Sequence, residues 1–346
     1  MRKKPYMGFK LVIWDAQWAA YQDRFAAALG SGWRIAAGTE AGWLAEEIIE
    51  ADALIALRLP EAVLPRAVRL KAFLFPGAGI LEPDPSRYPA GCAVSNVSEH
   101  AAAVAEYILA AILLQATGIL RYREALRQGR WEGSGRLGGQ PHRELRGRTL
   151  GLVGYGAIGQ ATCLRARAFG MRVLAIRQHP ELPLAHGAPR PHFLGGPRDL
   201  DRLLEESDYL VLGCPLTEAT RGMIGEAELR RMKPGAVLVN VARAEIVEEK
   251  PLYEALCSGR LGGAVLDVWY RYPDPAPKGG YGSALPFHEL PNVLATPHMA
   301  GWTEETIERR IKRMVENLKR LERGEPLERV VFIGSWKVPV LSEASP

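Results

Sequence analysis

The sequence predicts an α/β protein built on two doubly wound parallel sheets. Three observations carry that expectation: a length of 346 residues, a repeated alternation of strand-like and helix-like segments, and one G-x-G-x-x-G run that follows an apolar strand and opens a helix. The length exceeds what one core of ordinary size holds, so two domains with a cleft are expected. With 47% hydrophobic and 24% charged residues, the chain has enough apolar surface to offset the entropy of ordering it.

The first third alternates regularly. Phe9–Trp14, Trp33–Ala37 and Ala53–Leu57 read as strands, with Tyr21–Leu29 and Ala45–Glu50 as the helices between them. Leu70–Phe75 is a further apolar strand and runs into Pro76-Gly77-Ala78-Gly79, a turn whose glycines let backbone amides approach a small ligand; a plain strand-to-loop turn is the alternative. After the strand-like Ala93-Val94, a long helix is expected from near Glu99, past Arg121, ending before Gly129. Ala101 to Leu120 is apolar for about the length of a membrane span. Glu106, Gln115 and Thr117 interrupt it, and Ala and Leu dominate, so a buried or dimer-forming helix is expected instead. A glycine-rich loop, Gly133 to Gly139, separates that helix from the next strand.

Thr149-Leu150-Gly151-Leu152-Val153 is a short buried strand, followed by Gly154-Tyr155-Gly156-Ala157-Ile158-Gly159, an amphipathic helix through Phe169 and a second strand, Arg172–Ile176. Placed so within one βαβ unit, the glycine run predicts a Rossmann domain that binds a dinucleotide. The first glycine permits a tight turn, the second lets the backbone approach the pyrophosphate, and the third lets helix and strand pack closely. An acidic residue for the adenosine ribose is expected at the end of the second strand, but Arg177-Gln178-His179 stands there. Arg177, assisted by His179, could pair with a 2′-phosphate, which favours NADP over NAD. A solvent-facing arginine that tolerates either cofactor is the alternative. Tyr209–Leu212, Ala236–Val241 and Gly263–Val268 continue as strands, with helices suggested at Glu226–Met232 and Pro251–Ser258. Pro273 to Leu290 is too rich in Pro and Gly for regular structure. Val293–Thr296 is again strand-like, Thr303–Glu322 is a charged amphipathic helix, and the tail after Val331 carries no pattern.

Composition narrows the function. The formal charge of +5 comes from arginines scattered among Glu and Asp, without the basic runs of a nucleic-acid binder, and suits attraction of a small anion. Cys92, Cys163, Cys214 and Cys257 lie far apart, so no metal site and no disulfide are expected, and each reads as a small core residue in a reducing compartment. The basic start, Met1 to Pro5, leads into a strand rather than a signal-peptide core, so the expected location is cytoplasmic, with no membrane partner.

Five stretches in order carry a resemblance. They are Glu144-Leu145-Arg146-Gly147-Arg148-Thr149-Leu150-Gly151, Cys214-Pro215-Leu216-Thr217 with Thr220-Arg221-Gly222, Met232-Lys233-Pro234-Gly235-Ala236 through Asn240-Val241-Ala242-Arg243, Leu266-Asp267-Val268, and Thr296-Pro297-His298. Over nearly its whole length the chain resembles the D-isomer-specific 2-hydroxyacid dehydrogenases. The resemblance implies a Rossmann nucleotide domain, 101–298, inserted into a discontinuous flavodoxin-like substrate domain, 1–100 with 299–346. The helices from Glu99 and Thr303 would then cross between domains. It implies a small 2-hydroxy or 2-oxo acid as substrate, and the apolar Ala101–Leu120 helix, which wants a partner, predicts a homodimer. That chemistry needs a cation for the carboxylate, a group that exchanges the hydroxyl proton, and a nicotinamide against C2. Arg243 matches the family's catalytic arginine and His298 its acid/base, while Asp267 matches an aspartate near the nicotinamide. Cys214, Pro215, Thr220, Val241 and Ala242 would line the cofactor with them. Ala78 and Gly79 would meet the substrate carboxylate, joined more loosely by Asn96 and His100.

Two departures stand beside the match. Where most of the family has a glutamate that hydrogen-bonds the histidine, counting forward from Asp267 reaches Tyr272, and Ala244 replaces the usual glycine after the arginine. A neutral tyrosine can orient an imidazole but supplies no charge to raise its pKa. Glu289 or Asp274 are candidates to compensate. Formate dehydrogenases of the same superfamily also lack the glutamate and resemble this chain in Asp267-Val268-Trp269. Formate oxidation, or a nucleotide sensor without catalysis, are therefore the alternative functions.

Overall fold

The computed structural model describes residues 8–80, 83–273, 280 and 282–337. Asp274 lies outside the described residues. The chain divides into two compact units, one ending at Glu99 and resuming at Glu304, the other spanning His100–Thr303. Met299–Thr303, expected with the substrate domain, thus belong to the second unit.

In chain order the first unit holds β1 (Phe9–Trp14), α1 (Ala16–Ala19), α2 (Gln22–Leu29), β2 (Trp33–Gly38), α3 (Ala41–Glu47), β3 (Ala53–Ala56), β4 (Ala72–Phe75) and β5 (Ala93–Asn96). The second holds α4 (Ala101–Thr117), α5 (Ile119–Arg127), β6 (Thr149–Val153), α6 (Ala157–Ala168), β7 (Arg172–Ile176), β8 (Phe193–Gly195), α7 (Leu200–Glu206) and β9 (Tyr209–Leu212). It continues with α8 (Glu226–Arg231), β10 (Val237–Asn240), α9 (Glu249–Cys257), β11 (Gly263–Leu266) and β12 (Val293–Ala295) before the chain returns to the first unit as α10 (Glu304–Glu322) and β13 (Val330–Ile333).

The first sheet runs β13-β5-β4-β3-β1-β2, which apart from its edge is the 2-1-3-4-5 order of the flavodoxin-like fold. The edge strand β13 pairs antiparallel with β5, from Val330 against Ser95 to Ile333 against Ala93. It comes from the tail that showed no pattern, because a half-exposed edge strand needs no alternation. The second sheet runs β12-β11-β10-β9-β6-β7-β8, every pairing parallel, and its direction of winding reverses between β6 and β9.

Both faces of that second sheet are covered, and the strands divide their residues between them with period two. Leu150, Leu152, Val173, Ala175, Val211, Val239 and Val265 point to a core shared with α4 and α6. Val153, Leu174, Ile176, Leu210, Leu212, Leu238 and Leu266 point to a second core under α7, α8 and α9. This is why the strands read as unbroken apolar runs. The apolar face of α4 is spent in the same way: Val104, Ile108, Leu109 and Ile112 are buried inside the unit.

Several expectations are corrected. The long helix is two helices, because Gly118 adopts a left-handed φ of 64° and bends the pair by 57°. Among the described residues no single helix is long and apolar enough to cross a membrane. The stretch before β12 contains an ordered short turn, Phe287–Glu289, whose Phe287 is part of the core. Cys92 and Cys163 are buried, but Cys257 is exposed at the end of α9 and is not a core residue.

Candidate active site

The expected nucleotide-binding residues lie where the second sheet reverses its winding. Gly154 leaves β6 with φ 105°, and a Cβ there would lie 2.7 Å from the Cys214 nitrogen that follows β9, so a side chain would force the two loops apart. Gly159 packs α6 against the same turn, since its Cβ would lie 2.4 Å from the Gly154 carbonyl oxygen. Gly156 differs. It is exposed, with nothing within 4 Å of a Cβ, and no side chain caps the first turn of α6 that it opens. Open space before uncapped helix amides is what a pyrophosphate needs. The residues present therefore fit a dinucleotide.

The neighbouring expected residues divide by exposure. Ala157 is exposed, while Ile158 packs against the core. Tyr155 is buried, its hydroxyl donates to the Pro189 carbonyl at 2.6 Å, and its ring lies against Gly159. Across the crevice Cys214 is half-buried, and burial raises its thiol pKa. The loop after it is knitted by Thr220, whose hydroxyl donates to the Pro215 carbonyl at 2.8 Å and accepts from the Thr217 amide at 2.8 Å. At the end of β7 the Arg177 guanidinium donates to the Leu182 carbonyl, its Nε is buried without a hydrogen-bond partner, and Gln178 is exposed. His179 faces Glu181 at 3.2 Å on the surface.

The residues expected to carry the chemistry lie at the ends of β10, β11 and β12. Asn240, buried at the end of β10, accepts from the Ala242 amide at 3.1 Å and donates to the Arg243 carbonyl at 2.9 Å, shaping the turn on which Val241, Ala242 and Arg243 stand. Asp267, buried at the end of β11, binds the turn after β12. Its Oδ1 accepts from Thr296 Oγ1 at 2.6 Å and the Met299 amide at 2.8 Å, and its Oδ2 from the Ala300 amide at 2.9 Å. Both oxygens are thus committed to the loop that carries His298. His298 itself is exposed and holds a left-handed φ of 57°, a conformation that costs a non-glycine residue about 1 kcal/mol and persists where its surroundings impose it.

Tyr272 meets the histidine. Its Oη lies 2.8 Å from His298 Nδ1, and the Trp269 amide approaches the same oxygen at 3.4 Å. The ring is half exposed, but its hydroxyl end is desolvated, which raises the phenol pKa, as do the charges of Asp267 and Glu245, while the Trp269 amide and the Arg243 charge pull it down. The phenol is therefore a neutral partner, and Arg243 is near enough to act on it. Glu289, one expected substitute for the missing glutamate, faces His288 at 3.7 Å.

In the first unit, Asn96 Nδ2 donates to the Ala78 carbonyl at 2.5 Å and the Val97 amide to the Gly77 carbonyl at 3.0 Å, so the end of β5 props the turn in which Ala78 and Gly79 are exposed. His100 packs against Gly301 in the second unit, close in sequence to His298. Two site residues escaped sequence reasoning: Tyr107 on α4, whose Oη lies 2.5 Å from Thr296 Oγ1, and Trp269, whose Nε1 donates to the Thr296 carbonyl at 2.8 Å. A lone phenol in the apolar run of α4 was the available signal. Among the described residues no group of three His, Cys, Asp or Glu could hold a metal.

Known proteins resemble this chain in sequence and in fold. A sequence model described as D-isomer specific 2-hydroxyacid dehydrogenase, NAD binding domain, matches residues 109–300. The chain is 38% identical over 227 residues to a glyoxylate reductase of Korarchaeum cryptofilum, covering 64% of this chain and 63% of that protein. It is 32% identical over 298 residues to a glycerate dehydrogenase of Methylorubrum extorquens, covering 83% of this chain and 89% of that one. A solved D-isomer specific 2-hydroxyacid dehydrogenase family protein from Aeromonas salmonicida is 27% identical and superposes with a TM-score of 0.79, covering 94% of this chain and 99% of that one.

Proposed function

The chain belongs to the D-isomer-specific 2-hydroxyacid dehydrogenases, NAD(P)-dependent oxidoreductases that interconvert 2-hydroxy and 2-oxo acids, and on that premise we propose which residues carry the reaction and on what substrate. The observation that carries the proposal is the contact between Tyr272 Oη and His298 Nδ1 at 2.8 Å, with the Arg243 charge acting on the same phenol. A bound nicotinamide would supply the hydride that C2 receives. Arg243 binds the carboxylate and the oxygen of a 2-oxo acid through its planar fork, and its charge stabilises the oxyanion that develops on reduction. His298 gives that oxygen its proton, and in the reverse direction takes it back. With Nδ1 turned to Tyr272, proton exchange falls to Nε2. Tyr272 serves either ring state, donating to a neutral Nδ1 and accepting from a protonated one, and adds no charge to either.

The main chain of Gly154–Gly159 would hold the pyrophosphate, and Arg177 a 2′-phosphate, which makes NADPH the preferred donor. The amides of Ala78 and Gly79, propped by Asn96, would receive the substrate carboxylate. A two-carbon or three-carbon 2-oxo acid such as glyoxylate or hydroxypyruvate is the proposed substrate, as the relatives' names suggest. Assembly as a homodimer would use the exposed apolar residues Ile119, Leu120 and Leu126 of α5 rather than the buried face of α4, and light scattering checks it.

The test of the reaction is oxidation of NADPH and NADH, followed by absorbance, against glyoxylate, hydroxypyruvate, pyruvate and bulkier 2-oxo acids, with H298A as control. Turnover that prefers NADPH and falls by about a thousandfold in H298A is expected. Equal turnover in H298A would remove His298 from the chemistry. Oxidation of formate without reduction of any oxo acid would replace the substrate.

A further inference from the structure

We propose that Tyr107, on α4, is a positioning residue for the proton-exchanging histidine, acting through Thr296 and Asp267 on the turn that holds His298. The inference rests on the role given to His298 above. Tyr107 Oη lies 2.5 Å from Thr296 Oγ1, which in turn lies 2.6 Å from Asp267 Oδ1. Asp267 receives the Met299 and Ala300 amides on its two oxygens and serves as an acceptor throughout. Thr296 has one hydroxyl hydrogen, and the carboxylate takes it. The remaining contact then has one direction: Tyr107 donates to Thr296, and Thr296 donates to Asp267. Burial pushes the Tyr107 phenol pKa up to about 12, so the donor keeps its hydrogen. Each donor in such a chain polarises the next, and the chain ends on the group that fixes the turn.

Thr296 is also held through its main chain. Its amide donates to the Leu266 carbonyl at 2.9 Å, and its carbonyl accepts from Trp269 Nε1 at 2.8 Å and from the His298 amide at 3.0 Å. The hydroxyl contact from α4 therefore reaches the residue that sets the backbone of His298, whose left-handed φ needs outside support. Without the phenol hydroxyl, Thr296 Oγ1 lacks its donor and is free to rotate off Asp267. Asp267 then holds Met299 and Ala300 less firmly, and the imidazole loses its fixed place. A displacement of about 1 Å at a reacting group costs on the order of a hundredfold in rate, so partial loosening costs about tenfold.

The test compares Y107F, T296V and T296S with the wild-type full chain by steady-state kinetics and by the imidazole proton signals of its seven histidines, with H298A identifying the one that matters. Y107F and T296V should lower kcat about tenfold and leave KM for NADPH within about twofold, and T296S, which keeps the hydroxyl, should retain kcat. The His298 signal should shift and broaden in Y107F and T296V while the other six stay in place. Wild-type kcat with an unmoved His298 signal in Y107F would overturn the proposal. So would a loss accompanied by movement of all the histidine signals, which marks general loosening. Should the wild type reduce no 2-oxo acid, the assigned reaction fails, and the His298 signal alone still decides the positioning claim.

Discussion

Tyr272 occupies the place from which a carboxylate would charge the histidine, and a charge at that place has a predictable effect. A carboxylate beside His298 favours the imidazolium and raises its pKa, by about one unit or more for a close pair. In the proposed reaction reduction draws its proton from the imidazolium, so in Y272E the rate should hold to higher pH, with the alkaline limb of kcat/KM displaced upward by about one unit. Y272F, which removes the hydrogen bond and adds no charge, should lower kcat with the limb close to its wild-type place. A Y272E limb that coincides with the wild type would mean that His298 is not the group that titrates. Tyr272 was countable from Asp267 because both lie on one short stretch. Its contact with Nδ1 was not, since it depends on how the turns after β11 and β12 meet. Asp267 shows the same boundary: the sequence gives a carboxylate at a strand end, and only the fold reveals that both its oxygens are taken by the His298 turn.

The elements were legible where covalent spacing alone decides them. Strand β6, the glycine turn and helix α6 follow one another without interruption, so their roles could be read in order, and the space around each glycine now separates those roles. Gly156→Ala meets nothing within 4 Å and keeps an ordinary φ of −83°, so its Tm should stay within about 2 °C of the wild type while the Kd for NADPH rises at least about tenfold. Gly159→Ala drives a methyl against the Gly154 carbonyl and should cost about 1–3 kcal/mol of stability instead. Thermal melts and nucleotide titrations of the two variants separate the effects, and unchanged binding by G156A would place the pyrophosphate elsewhere. Illegible elements failed for local reasons. Gly118 ends α4 by its left-handed φ, a choice that a lone glycine in a helical run does not announce. Strand β8 has only Phe193–Gly195, too short to show a period.

At the scale of the molecule, each unit carries its own strand order. The second sheet reverses between β6 and β9, and the loops leaving those two strands, at Gly154 and Cys214, are the ones that would flank a nucleotide. The first keeps the 2-1-3-4-5 order and adds β13 from the far end of the chain, which ties that unit's two sequence segments into one sheet. Alternation in the sequence pointed to parallel sheets, which holds for every pairing except the antiparallel edge strand β13, whereas strand order is a property of crossovers and was reached through resemblance. In the proposed reaction a bound nicotinamide would supply hydride to C2 of a 2-oxo acid and His298 would supply the proton. Incubation of the enzyme and hydroxypyruvate, whose product has a stereocentre at C2, with NADPH deuterated at the transferring position of the nicotinamide, followed by mass spectrometry and chiral separation of the product, measures it directly. The D-2-hydroxy acid with one deuterium on C2, formed by the wild type and almost absent with H298A, is the predicted result. An unlabelled product, or the L-isomer, would contradict it.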